Sequence, residues 1–483
     1  MIKESQTRRQ FLKTTGLVAA ASTLPWLKGC QGDSGKRPNI IYILADDLGY
    51  GDLSCYGQIK FSTPNLDQLA QSGIRFTHHY AGSTVCAPSR SVFLTGLHTG
   101  HTTIKGNREY EPEGQQPLPV GTVTVAKLLQ QAGYRTGAFG KWGPGFVGTE
   151  GDPNVQGFDE FFGYNCQRQA HRHYPSHLWH NHKKIMLEGN DRNPPLTYAP
   201  DVIHEKALEF IETNRNRPFF LYLPYTLPHA ELIVPNDDIL RKYKGMFEEI
   251  PYRADQGSDY GADMIVAKYC SQETPRAVYA AMVDRLDRYV GDVVAKIAEL
   301  NLSSLTLIMF SSDNGPHQEG GADPEFFNSN GGLRGYKRDQ YEGGIRVPFI
   351  ATWPGHIPAG ENSAHVSAFW DILPTFTELA GAKTPPEIDG ISLVPTLLNR
   401  GNQREHDYLY WEFHEPGGRV AVRHANWKAV RLNVSDAADL RIELYDLSED
   451  PFERHDVASD HPDIMDEMNN LIKQLMSLPE PCR

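Results

Sequence analysis

From Arg37 onward, short apolar runs that stop abruptly at polar residues alternate with stretches of helical spacing. Asn39–Ala45 (NIIYILA) is such a run, and it ends at Asp46-Asp47. A short run without polar alternation reads as a strand covered on both faces, the mark of a parallel sheet. Further runs of this kind are Arg135–Phe139, Pro218–Leu223, Ser304–Phe310 and Val347–Thr352. Between them, Thr63–Ser72, Thr124–Gln131, Asp201–Asn214 and Ala277–Leu300 have helical spacing, the first opening on a cap-and-proline signal. The alternation predicts an α/β fold with a large, mostly parallel sheet flanked by helices. Ligands bind beyond the strand ends in such sheets.

The two ends of the chain differ from this pattern. Tyr408–Phe413, Arg419–Val422, Trp427–Arg431 and Glu443–Asp446 are short strand-like runs with close turns, and a helical stretch follows over Pro462–Met476. They predict a small antiparallel sheet with a C-terminal helix. At the other end, Arg8-Arg9 precede Phe11-Leu12-Lys13 and a mild apolar stretch from Leu17 to Leu27. That order reads as a twin-arginine export signal, which implies a periplasmic location. Leu27-Lys28-Gly29-Cys30 resembles a lipoprotein cleavage box, although Lys28 is unusual there, and attachment to a membrane rests on lipidation of Cys30. The predicted organisation is an export signal over 1–36, a large domain over 37–400 and a smaller C-terminal subdomain over 401–483.

Sixty acidic residues against 47 basic ones give a net charge of −13. A nucleic-acid backbone needs a basic face, so no nucleic-acid partner is expected. A small anion is still allowed, because a few placed cations can hold one inside an acidic protein. The six cysteines are scattered with no CxxC, which argues against both a zinc site and a disulfide framework.

One of them, Cys86, opens the pentad Cys86-Ala87-Pro88-Ser89-Arg90, and the sequence then reads helical. Free amide donors at a helix start suit a nucleophile that must handle an anion. Asp46, Asp47, Asp313 and Asn314 offer oxygen-bearing side chains at the ends of predicted strands, and hard oxygen donors suit Ca²⁺ or Mg²⁺ better than Zn²⁺. Lys141 stands between Gly140 and Trp142, Lys337 lies in a glycine-rich loop, and His229 follows Pro228 after a predicted strand. The segment Asn165–Lys184 is rich in His, Arg and Tyr and reads as a loop over the site, against the plainer reading of a polar surface loop.

The pentad resembles that of the formylglycine-dependent sulfatases, a family with the alkaline-phosphatase-like fold. Matching segments run in family order from Pro38 to about Asp456. They are DDLGYGD (46–52), GKWG (140–143), GFDEFFGY (157–164), Pro228-His229, SSDNGPH (311–317), LRGYKRDQYEGGIRVP (333–348), DILPT (371–375) and ELYDLSEDPFE (443–453). The resemblance implies that a maturation enzyme oxidises Cys86 to formylglycine (3-oxoalanine), whose hydrate is the nucleophile. It would attack sulfur, expel the alcohol to give a covalent sulfated intermediate, and lose sulfate to regenerate the aldehyde. The resemblance further implies one Ca²⁺ held by Asp46, Asp47, Asp313 and Asn314, with the group at position 86 completing its shell. Arg90 would orient the hydrate, Lys141 and Lys337 would hold the sulfate, and His229 would protonate the leaving alcohol. His317, His171 and His173 are candidates for contacting substrate. The expected substrate is a sulfated carbohydrate, from an algal polysaccharide such as ulvan or carrageenan or from a glycosaminoglycan.

One position departs from the family. Many members have a His two residues after the GKW lysine, where it touches the hydrate and acts as the base that releases sulfate. Here that position is Gly143. His98, His101, His171, His173, His177, His180 and His182 are alternative sources of the base, and the sequence does not choose among them. Two rival readings stand beside the sulfatase one. The first is a phosphonate or phosphate ester hydrolase of the same superfamily. The second is a non-catalytic binder of sulfated glycans, which only Gly143 supports.

Overall fold

In the computed structural model, the described residues are 37–254, 259–261, 264–415, 417–436 and 441–476. The export-signal residues and Cys30 lie outside them.

The first strand, β1 (Asn39–Ala45), is buried along its whole length. Its side chains divide between two cores: Ile41, Ile43 and Ala45 enter one, and Ile40, Tyr42 and Leu44 the other. This is why the run carries no polar alternation. After it come α1 (Pro64–Gln71), β2 (Ile74–Tyr80), α2 (Cys86–Thr95), α3 (Val125–Gln131), β3 (Arg135–Lys141) and β4 (Glu160–Tyr164). A hairpin, β5 (His177–His180) and β6 (Lys183–Met186), leads to α4 (Ala199–Asn214), β7 (Phe219–Pro224), α5 (Pro275–Glu299), β8 (Thr306–Ser312) and β9 (Arg346–Thr352).

These strands build one 11-stranded sheet whose main path runs β2-β9-β8-β1-β7-β3-β4-β5-β6, with short edge pieces beside β2. The run from β8 to β4 is parallel. Both flanks are antiparallel: β9 against β8, β2 against β9, and the β5–β6 hairpin against β4. Helices α1, α4 and α5 bury their apolar sides in one core, and α2, α3 and a further helix, α6 (Ile372–Ala380), in the other.

Sequence pattern located β1, β3, β7, β8 and β9 to within two residues and missed β2, β4 and the hairpin. Strand β2 is half-buried and carries Arg75, Thr77, His78 and His79, so it lacks the apolar signature of the centre. Thr63 does not cap α1 with its side chain; its hydroxyl instead accepts the Ser54 N–H at 2.9 Å. Thr124 does cap α3, accepting from Lys127 N.

The tail forms the expected meander, β10 (Leu409–Phe413), β11 (Arg419–His424), β12 (Trp427–Leu432) and β13 (Ile442–Asp446), followed by α7 (Pro462–Met476). Met468, Ile472 and Leu475 of α7 cover one face of this sheet. The other face, through Leu409, Trp411, Ala421, Val430 and Tyr445, joins the core beneath α2. A buried ion cluster marks the junction. Lys428 of β12 lies 2.9 Å from Glu342 and 2.8 Å from Glu453, and all three side chains are sealed from solvent. Burial pushes the Glu342 carboxyl up, but Lys428, Arg346 and Arg423 override it and hold the group at about 2. Removing the only ammonium between two buried carboxylates leaves uncompensated charge. Lys428→Met is therefore expected to lower stability by about 3 kcal/mol or more. Urea denaturation of the variant beside the parent checks this, and an unchanged midpoint would refute the role given to the cluster.

Candidate active site

The strand register builds the centre. Strands β1 and β8 are parallel with Ala45 opposite Ser312, so Asp46-Asp47 and Asp313-Asn314 emerge side by side. Asp313 N donates to Ala45 O at 3.1 Å, and Asp47 N donates to Asp313 Oδ1 at 3.1 Å. Strand β7 delivers His229 through the turn that follows it, and β3 ends on Lys141 itself.

Cys86 is the first residue of α2 and is buried, with Sγ 3.3 Å from Asp46 Oδ1 and 3.9 Å from Asp47 Oδ1. Burial, then the charge of Asp46, drives its thiol well above the ordinary cysteine range. An unmodified Cys86 is thus held protonated, the opposite of what a thiolate nucleophile needs. The Ala87 N–H donates to Asn107 Oδ1 at 3.0 Å, a contact that no sequence pattern marks.

Cations close the cluster. Arg90 reaches Asp313 Oδ2 from Nη2 at 2.8 Å and from Nε at 3.2 Å, and donates to Lys141 O at 2.6 Å. Lys141 Nζ donates to Asp46 Oδ2 at 2.7 Å. Lys337 Nζ donates to Asp47 Oδ2 at 2.8 Å, to His229 Nε2 at 3.0 Å and to Glu319 Oε2 at 3.1 Å. Burial favours a protonated Asp46, but Lys141, His229 and Arg90 outweigh it and hold the group well below the usual carboxylate range. Asp313 is pushed up to about 7 by burial and by Asp46. Such crowding of carboxylates marks a place built for a further positive charge.

Asp46, Asp47, Asp313 and Asn314 fit a hard cation. They converge in a buried site, and Asn314 Oδ1 is buried there with no hydrogen-bond partner among the described residues. Three carboxylates and an amide oxygen suit Ca²⁺ or Mg²⁺. Without a metal the three carboxylates balance Arg90, Lys141 and Lys337, so a divalent ion would turn the pocket net positive.

His229 Nδ1 faces Ala230 O, which leaves Nε2 as the acceptor from Lys337. Burial, Lys337 and Lys141 hold its pKa well below the ordinary histidine value, so the ring is neutral. His171 and His317 each stack on it, with centroids 4.5 and 5.5 Å away.

The structure sorts the histidine candidates. His317 is buried, its Nε2 on Pro228 O at 3.2 Å and its Nδ1 accepting Glu319 N at 3.2 Å, so neither nitrogen is free for substrate. His173 is buried too, bound to His229 O at 3.1 Å and Thr226 Oγ1 at 3.3 Å; it shapes the His229 turn rather than touching substrate. His171 is partly exposed and makes no side-chain hydrogen bond among the described residues. His177, His180 and His182 belong to the edge hairpin, where they pair with Glu113, Glu160 and Asp152. Asn165–Lys184 is therefore only partly a loop, because its second half is strand. His98 and His101 stack on each other at 4.2 Å and gather around Asp389, apart from the groups that ring Cys86. Sequence reasoning missed Glu319, which anchors Lys337 and Arg338. Its position two residues after His317 was the one available signal.

Comparison with known proteins agrees with this geometry. Residues 38–382 match the sulfatase family model, and residues 334–480 match the model for the C-terminal part of N-sulphoglucosamine sulphohydrolase. Residues 5–25 match the twin-arginine translocation signal, which supports export. Human arylsulfatase A is 33% identical over 476 residues, covering 92% of this chain and 88% of that protein. The N-acetylgalactosamine-6-O-sulfatase of Bacteroides thetaiotaomicron is 29% identical, covering 93% and 96%. The solved structure of Ps i-CgsB superposes with a TM-score of 0.76 at 29% identity, covering 92% of this chain and 93% of that one. With the family model spanning most of the chain and a relative of this similarity aligned along nearly all of it, the protein belongs to the sulfatase family and is a sulfuric ester hydrolase of the alkaline-phosphatase-like fold.

Proposed function

We propose that the protein removes sulfate from sulfated saccharides, using a formylglycine formed from Cys86 and one Ca²⁺ held by Asp46, Asp47, Asp313 and Asn314. The observation that carries this reading is the buried convergence of Cys86 with those four oxygen-bearing residues and with Arg90, Lys141, Lys337 and His229. The hydrate of the aldehyde would supply an oxygen nucleophile where the thiol is held inert, and the calcium would favour its ionised form.

The chain's own groups do the rest. Arg90, clamped by Asp313 and Lys141 O, fixes the group at position 86. Lys141 and Lys337, now paired with Asp46 and Asp47, face the sulfate once those carboxylates serve the cation. The proton for the leaving oxygen sits on Lys337 Nζ against neutral His229, so the two act as one donor rather than His229 alone. Burial disfavours charge on Lys337, but Asp47 and Glu319 outweigh it and hold its pKa well up. Committing Asp47 to calcium weakens that hold. His171 lines the mouth of the site as a substrate contact.

A saccharide substrate is supported by the complex of Ps i-CgsB with k-i-k-neocarrahexaose and by the N-acetylgalactosamine-6-O-sulfatase relative. The same proposal includes twin-arginine export to the periplasm, a formylglycine-generating partner enzyme, and a catalytic domain over 37–400 with a subdomain over 401–483. Attachment to a membrane is proposed only through a lipid on Cys30.

A panel of sulfated oligosaccharides from carrageenan, ulvan and glycosaminoglycans, read by free sulfate, tests the function. Release from at least one member, faster than hydrolysis of any phosphate or phosphonate ester, is expected; release from none contradicts it. Treatment with EGTA is expected to abolish turnover and lower the melting temperature, and added Ca²⁺ to restore both. His229→Ala is expected to cost about 10²–10⁴-fold on a sugar sulfate. The loss should be much smaller on 4-nitrophenyl sulfate, whose leaving group needs no proton. Equal losses on both substrates would contradict the proton-donor role.

A further inference from the structure

The histidine absent at Gly143 leaves a space, and that space is filled. A Cβ built on Gly143 would lie 3.2 Å from Gln167 Nε2, 3.2 Å from Arg90 Cδ and 3.8 Å from Ala87 Cα. Gly143 also has φ +119°, a conformation that favours glycine. A side chain at 143 and the present Gln167 therefore compete for the same volume beside Arg90 and the start of the Cys86 helix.

Gln167 comes from the loop after β4, and its backbone N–H donates to the buried Gln115 Oε1 at 3.4 Å. The residue is 3% exposed, yet its Nε2 has no hydrogen-bond partner among the described residues. A buried amide donor without a partner is costly, and interiors rarely keep one without a use. Nearby Asn165, 1% exposed, has both terminal amide atoms unpartnered as well. The loop thus presents unsatisfied amides at the one place where this chain departs from the family pattern.

We propose that Gln167 is a further substrate-contacting residue, donating its Nε2–H to an oxygen of the sulfate bound at position 86, from the space that a side chain at 143 would otherwise take. This rests on the sulfatase reading above. A neutral amide gives a hydrogen bond without a titration, so Gln167 makes a contact and leaves proton transfer to other groups.

The test uses the full-length Cys86→Ala protein, which has no residue to mature or react, with calorimetric binding of 4-nitrophenyl sulfate and of inorganic sulfate. Adding Gln167→Ala is expected to weaken both ligands about tenfold. Gln167→Glu keeps the volume but replaces the donor with a negative charge, and should weaken binding further. Gln167→His restores a donor and should bind close to the Cys86→Ala parent. This rank order separates a contact from a packing role, under which the near-isosteric Gln167→Glu would be the mildest change and the folded variants would bind equally. A parent that binds while both Gln167→Ala and Gln167→Glu bind as it does would overturn the Gln167 assignment alone. A parent that binds neither ligand would overturn the sulfatase reading and this one with it.

Discussion

The parallel pairing of β1 with β8 is the constraint on which the site depends. Ala45 opposite Ser312 fixes where the chain leaves each strand, and so brings Asp46, Asp47, Asp313 and Asn314 to one place. A one-residue slip would turn these side chains to the other face of the sheet. The hydrophobic cost of such a slip is high, because β1 is buried on both faces. Apolar packing in the sheet therefore stabilises an arrangement of like charges that would not assemble by itself.

Those charges then need compensation. Three cations from separate parts of the chain supply it: Arg90 from α2, Lys141 from β3 and Lys337 from the loop before β9. That last loop is tied down from behind. Glu342 caps it from within the buried cluster with Lys428 and Glu453, both contributed by the C-terminal region. The small sheet thus does more than cover apolar surface; it holds the loop that carries Lys337. The buried ion pairs of Lys428 tie β12 to Glu342, which follows Lys337 by five residues in the chain.

Much of this was legible in the sequence. Apart from β4, the parallel strands announced themselves as unalternated apolar runs, and most of the candidate site residues lie just beyond their ends or in the pentad. The antiparallel strand β9, buried throughout, was as legible as the parallel ones, whereas β2 and the hairpin were hidden because their burial is partial or slight: Lys183–Met186 is exposed along its length. The roles of the histidines could not be read, because a histidine's use depends on what its two nitrogens meet. His317 and His173 are locked by backbone carbonyls and a hydroxyl, whereas His171 is not. Asn107 comes from a loop with no local signature, whereas Glu319 had only its nearness to His317 and Gln167 only its place in the His-rich segment Asn165–Lys184. Gly143, which the sequence marks as a loss, becomes informative only when the space beside it is seen to be occupied.

The central claim is that position 86 does not act as a cysteine. Its surroundings suppress the thiolate and offer an oxygen nucleophile cationic neighbours instead. Mass spectrometry of the Cys86 peptide from active enzyme tests this most directly. The account predicts a mass reduced by conversion of the CH₂–SH to an aldehyde, in a fraction of molecules that tracks the specific activity of each preparation. A preparation that releases sulfate at full rate while its Cys86 peptide carries only unmodified cysteine would contradict it.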